Sequence, residues 1–342
     1  VLAYCEARQS THGDWGATDI VVRRSTDGGV TWSAARRLNP IEQPVPKNPV
    51  ALRQGLATAA EPTFNNPVAI YDHQTGSVHF VTCAEYARCF YARSGNDGQS
   101  WSTAVDITAT FEAFRSDYDW RVLATGPGHG IQLTSGRLLI PVWLSTGTGG
   151  HGHRPSCVAT IYSDDHGQTW RRGELLVRDS EATPNPSETT LVQLADVRVM
   201  ANVRSESRRN RRLVAFSADG ASGWSEPAFD ESLFEPVCFA SLVRLSAQPT
   251  HARNRLLFVH PDSRHSERFD PERVSQPREH LTVHLSYDEG RTWPVARVLD
   301  PGPSGYADMA VTTPGTVLCL YERGATTDSM GATASLTLAR FD

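Results

Sequence analysis

Five short segments in the second half of the chain carry side chains that could do chemistry. Glu188 closes Asn185-Pro186-Ser187-Glu188 and leads into an apolar run, and Arg204 ends Asn202-Val203-Arg204. Arg278 follows Pro277 ahead of another apolar run, Tyr306 closes Gly302-Pro303-Ser304-Gly305-Tyr306, and Glu322 and Arg323 stand in Leu320-Tyr321-Glu322-Arg323-Gly324. Guanidinium groups are planar, permanently charged and suited to bidentate capture of an anion. A carboxylate beside a phenol suits proton transfer to or from a nucleophile. The N-terminus adds Tyr4-Cys5-Glu6-Ala7-Arg8, then Asp14 and Asp19 on the segment that follows.

The elements that must position these residues announce themselves by repetition. Ser163-Asp164-Asp165-His166-Gly167-Gln168-Thr169-Trp170 returns as Ser25 to Trp32 and as Ser286 to Trp293; Ser94 to Trp101 and Ser217 to Trp224 are altered copies. Asp and Ser side chains bond nearby backbone N–H groups and Gly accepts positive φ, so the motif predicts a tight turn closed by a tryptophan. Short β-branched runs separated by Gly, Pro, Asn and Asp fill the intervals, and only Thr108 to Arg115 invites a helical turn. Many short strands on an internal repeat select a propeller over a sandwich. Units of about fifty to sixty residues predict six blades. No domain boundary is visible.

Composition removes several function classes. The net charge is −5 and no basic patch occurs, which argues against nucleic acid. No run of 18 apolar residues exists to span a membrane. Lys47 is the only lysine, so 32 of the 33 basic residues are arginine and an arginine counts only by its place in the pattern. The six cysteines read as buried free thiols, with Cys83 and Cys89 spaced to face each other. His129, His151 and His153 lack a matched acidic partner, so no metal or other cofactor is expected. Trp15, Trp143 and Phe239 read either as pocket lining or as core. The chain shows no signal peptide, and compartment is left open, with a secreted or periplasmic location favoured over the cytoplasm.

The Asp boxes, Gly126-Pro127-Gly128-His129-Gly130-Ile131-Gln132-Leu133 followed by Gly136-Arg137-Leu138, and the five segments above resemble the exo-α-sialidases, the neuraminidases of bacteria and animals. The resemblance runs from Val1 to Asp342. It implies an all-β, six-bladed β-propeller with Asp-box (BNR) repeats, in one domain over 1–342 whose first blade is incomplete at the N-terminus. The implied activity is retaining exo-hydrolysis of terminal α-ketosidically linked sialic acids through a tyrosyl-enzyme intermediate, with sialylated glycans or sialosides as partners. Tyr306 would be the nucleophile, Glu188 the group that accepts its proton, and Arg204 and Arg278 two arms of an arginine clamp on the substrate carboxylate. A neutral phenol avoids the repulsion that carboxylate would exert on an anionic nucleophile. Arg8 would help to hold the acid and the substrate, and Asp14 would be the acid, with Asp19 as the neighbouring alternative.

Two departures from the pattern stand out. The family's first clamp arginine sits in an Arg-Ile-Pro motif that this sequence lacks, so it is expected upstream of Val1; Glu322 matches the glutamate that supports that arginine. Ala307 stands where relatives often carry serine. Other readings remain: a sibling enzyme acting on a deaminated nonulosonic acid, a trans-sialidase, or a non-catalytic propeller that binds glycans or proteins. Oligomeric state is not legible.

Overall fold

The computed structural model describes residues 1–9, 13–43, 45–313, 315–325 and 333–342. They form two compact units, Val1–Asp179 and Ser180–Asp342. In the first, β1 (Leu2–Arg8), β2 (Thr18–Arg24) and β3 (Arg36–Arg37) make an antiparallel sheet in chain order. A second sheet is the meander β4 (Phe64–Asp72), β5 (Ser77–Ala84), β6 (Arg88–Ser94) and β7 (Val105–Asp106). Next come β8 (Val122–Thr125) and β9 (Gly128–His129); β9 pairs in parallel with β4 and extends that second sheet. The third sheet runs β10 (Ile131–Gln132), β11 (Leu138–Ser145), β12 (Ser156–Ser163) and β13 (Arg171–Arg178), with β8 against β11.

The second unit holds two sheets. The first is β14 (Thr189–Gln193), β15 (Val199–Val203), β16 (Arg211–Ser217) and β17 (Ala228–Phe234). The other is β18 (Ser241–Ser246), β19 (Arg255–Pro261), β20 (Glu279–Ser286), β21 (Val295–Val311), β22 (Val317–Ala325) and β23 (Thr333–Phe341). The described residues thus form five sheets, and the expectation of six blades is corrected to five. The reason is β21, which runs unbroken for 17 residues. Its first part pairs with β20 and its second with β22, so the last two expected blades are one six-stranded sheet.

Every Asp box lies at one kind of corner, the turn that follows β2, β6, β12, β16 or β20 and leads into the next strand. In the third box Ser163 Oγ donates to Asp165 Oδ1 at 2.8 Å and accepts from Gly167 N at 2.8 Å; Asp165 also accepts from Thr169 N at 2.8 Å and from its hydroxyl at 2.6 Å. Gly167 sits at φ +81°, where a side chain would be strained. The box is therefore a turn held by its own side chains.

Two α-helical turns interrupt the strands among the described residues. Thr108–Glu112 forms α2, as the sequence suggests, and buries Phe111 and Phe114 completely in the core of Val68, Leu138, Ile140 and Ile161. Each ring so buried contributes about 1.5–3 kcal/mol. Ahead of it, α1 (Pro49–Arg53) was not foreseen, although its signal was local: Asn48 caps it by accepting from Val50 N at 2.9 Å, and Pro49 takes the first helical position. No helix among the described residues is long and apolar enough to cross a membrane. Cys83 and Cys89 are register partners on β5 and β6 and are free thiols, as are the other four cysteines.

Candidate active site

Strand direction places the candidate residues at the ends away from the boxes. In the first sheet of the second unit, Thr189, Val203 and Leu213 align at one end, while Gln193, Val199 and the box residue Ser217 align at the other. Glu188 immediately precedes Thr189 and Arg204 immediately follows Val203, so the two meet. Their backbones continue the pairing, with Arg204 N donating to Glu188 O at 3.0 Å. Arg278 likewise precedes β20, whose far end is the box at Ser286.

Tyr306 is delivered by a different device. On β21 the register against β22 slips between Ser304 and Ala307, which face Arg323 and Tyr321. Three steps on β21 therefore match two on β22, a bulge of the kind that re-aims a side chain. The Tyr306 N–H leaves the ladder and donates to Glu322 Oε2 at 2.9 Å. Gly305 is required beside it, because a Cβ there would stand 2.1 Å from the same oxygen. Glu322 thus holds the bulge that carries the tyrosine.

The side chains of this unit converge. The Tyr306 hydroxyl donates to Glu188 Oε1, Arg204 Nη1 pairs with Glu188 Oε2, and the same Nη1 donates to the Tyr306 oxygen at 2.9 Å. The Arg278 guanidinium lies 5.4 Å from the Tyr306 ring centroid, with one N–H donated to Val237 O at 2.8 Å. Phe239 packs its ring 5.7 Å from that of Tyr306. Burial first, and then the charge of Glu188, push the Tyr306 phenol well above its ordinary value, although Arg204 and Arg278 pull the other way. Burial opposes the Arg204 charge too, but Glu188 and Tyr306 beside it more than compensate and hold the group firmly protonated. This cluster keeps a neutral phenol in contact with a proton acceptor and two fixed cations. Such a set can bind an organic carboxylate and transfer a proton out of the phenol.

The first unit holds a second, more open cluster. Arg8 ends β1 and pairs with Asp14 Oδ1 at 2.8 Å and with Glu6 Oε2 at 3.3 Å. Burial raises the Glu6 carboxyl, against the pull of Arg8. His153 Nδ1 stands 3.9 Å from Asp14 Oδ2, and its ring packs among Trp15, Tyr86 and Trp143 at 4.9–5.2 Å. The sequence pattern did not connect His153 with Asp14, because the contact joins loops far apart in the chain. Asp19, the alternative acid, is buried and accepts from Gln9, from Asn39 Nδ2 at 2.7 Å and from Arg37 at 2.9 Å. Those donors commit it to structure and favour Asp14. Trp15, Trp143 and Phe239 are all nearly inaccessible, so core packing is their main role.

Among the described residues one cluster has the composition of a metal site: His260, Asp262 and His284. Its members already engage one another. The two Nε2 atoms are 3.1 Å apart, and both oxygens of Asp262 accept from Arg264, at 2.9 and 2.7 Å. A cation there would face the Arg264 guanidinium.

An all-β protein built on Asp-box turns, with an arginine–tyrosine–glutamate cluster at the strand ends away from them, defines the class of Asp-box propellers. The profile of the BNR repeat-like domain matches residues 56–319, and that of the BNR/Asp-box repeat matches residues 23–34. The chain belongs to this family, the Asp-box family of the sialidases. It is similar to a sialidase of Micromonospora viridifaciens, 31% identical over 95% of this chain and 48% of that protein. It is also similar to sialidase-3 of Homo sapiens, 29% identical over 94% of this chain and 82% of that protein. The solved structure of Hadza microbial sialidase Hz136 superposes with a TM-score of 0.71 at 26% identity, over 94% of this chain and 60% of that one. The chain spans about half the length of its curated relatives from Micromonospora viridifaciens and Bacteroides fragilis (strain YCH46), 48% and 54%.

Proposed function

We propose that this chain is a retaining exo-α-sialidase that releases terminal α-linked sialic acid from glycoconjugates through a covalent intermediate on Tyr306. The observation that carries the reading is the hydrogen-bonded Tyr306–Glu188–Arg204 set with Arg278 against the tyrosine ring. Sialic acid bears a carboxylate on its anomeric carbon, and Arg204 and Arg278 supply bidentate donors for it. Because the phenol is held neutral, its proton must pass to Glu188 as the oxygen bonds to the anomeric carbon. The glycosidic C–O bond breaks in the same step, and the leaving oxygen takes a proton from Asp14. Water then attacks the anomeric carbon with Asp14 as base, the tyrosyl C–O bond breaks, and Glu188 returns the proton to Tyr306. Retention follows from the two displacements.

The test is release of methylumbelliferone from its α-sialoside, with products examined in the presence and absence of lactose. The reading requires free sialic acid as the product. No release by the folded protein would refute it, and sialyllactose as the main product would move the assignment to a transferase.

A further inference from the structure

A buried ion pair stands behind the tyrosine cluster and takes no part in the chemistry described above. Arg212, on β16, is 1% exposed, and its partner Glu235 is 0% exposed. The Arg212 fork reaches three places. Nε donates to Asn202 Oδ1 at 2.6 Å and Nη2 to Asn202 O at 3.2 Å; Nη1 donates to Glu235 Oε2 and to Cys238 O at 3.1 Å. Glu235 in turn accepts from Cys238 N at 2.9 Å.

Each anchored point leads to one member of the cluster. Asn202 lies two residues before Arg204 on the same strand end. The 235–239 loop carries Val237, whose carbonyl accepts from Arg278, and Phe239, whose ring packs on Tyr306. Val237 sits at φ +65°, a conformation a β-branched residue adopts only when its surroundings impose it. The contacts that impose it here are the bonds of Glu235 and Arg212 to both backbone groups of Cys238. Lysine could not replace this arrangement, since an ammonium lacks the planar fork.

We propose that the Arg212–Glu235 pair is a positioning device that fixes the spacing between Arg204, Arg278 and Tyr306. It touches no substrate; it acts through Asn202 and the 235–239 loop. The inference rests on the reading of Tyr306 as nucleophile for its kinetic consequence, but not for its structural one.

The test replaces both partners, Arg212→Met with Glu235→Leu, so that no uncompensated charge is left in the core. The expected result is a protein that still folds, with a Tm lowered by the bonds that Asn202 and Cys238 lose, and whose kcat falls about 100-fold, the cost of an ångström-scale misplacement, with a smaller change in KM. Its crystal structure should show the Arg204–Tyr306 and Arg278–Val237 contacts displaced. A kcat within about twofold of wild type, with both contacts kept, overturns the proposal whatever the Tm. If the double variant does not fold, Arg212→Lys carries the same two readouts with the charge retained. Should the wild type itself release no sialic acid, the functional reading falls, and the crystal structure alone decides this inference: displaced contacts support it and unmoved contacts refute it.

Discussion

The two candidate clusters are built on opposite principles. In the first unit, Arg8 and Asp14 pair with about two-fifths of each side chain exposed, 43% and 42%. In the second, the side chains of Arg204 and Glu188 are 16% and 11% exposed and share their contacts with a buried tyrosine. An exposed pair gains little because water screens it and its side chains keep their freedom. A buried pair has already lost its hydration, so its geometry is fixed before any ligand arrives. The difference suits the proposed roles. An acid that must recover its proton from water each cycle belongs near solvent, whereas a carboxylate clamp and a phenol nucleophile gain from being dry and immobile.

The largest effect is expected at Tyr306. Tyr306→Phe removes the oxygen that bonds to Glu188 and Arg204, and turnover should fall on the order of 10⁴-fold, the scale for losing one member of a catalytic unit. Activity within tenfold of wild type would show that the buried cluster is not the nucleophilic centre. A smaller but still large effect should separate the two clusters by stability. Arg204→Met leaves Glu188 as a buried carboxylate without its cation and should cost about 3–5 kcal/mol. Arg8→Met should cost less than about 1 kcal/mol. Equal losses in denaturant titration would erase the contrast.

The sequence made one of these clusters much more legible than the other. Glu188, Arg204 and Arg278 could be named because they flank apolar runs, and Tyr306 because it closes a Gly- and Pro-rich segment, in an order that resembles the family's; the structure brings the four together. Asp14 could be named from its loop only with Asp19 as the neighbouring alternative, and the donors that Asp19 accepts from support keeping Asp14 as the proposed acid. Arg212 was hidden among 32 arginines, and Glu235 has no local motif; their pairing joins residues that only the folded sheet brings together. Lys47 was visible as the single lysine, yet nothing in the sequence shows that it is buried against Glu85 and bonded to the Trp15 carbonyl, one residue beyond Asp14. The count of sheets failed for a related reason. Unit length predicted six, but β21 runs unbroken through Pro301, Gly302, Pro303 and Gly305 and joins the last two units in one sheet, with the Tyr306 N–H bonded to Glu322 at the bulge.

Two smaller effects concern the buried histidines and the Asp boxes. Burial lowers His284 to about 4, and His260 moves the same way. An unfolded histidine titrates near ~6.5, so below that pH the unfolded chain binds protons the folded one refuses. Stability should therefore fall as pH drops from about 6.5 toward 4. His284→Gln should flatten the fall by up to about 1.4 kcal/mol per pH unit in calorimetry; an unchanged profile would show that the His284 imidazole does not govern it. The least effect belongs to the boxes. Asp165→Ala removes acceptors at an exposed turn and should lower stability by about 1 kcal/mol with kcat unchanged. A loss of kcat at constant Tm would place the box in the chemistry.

Trapping would reveal a covalent bond between the sugar and Tyr306. A sialosyl fluoride bearing fluorine at carbon 3 slows formation and breakdown of the intermediate, so a brief incubation, digestion and mass spectrometry would locate the sugar. The adduct should lie on the peptide containing Tyr306 and should not form in Tyr306→Phe. An adduct on Glu188, or full turnover with no adduct at any time, would contradict the covalent role of Tyr306.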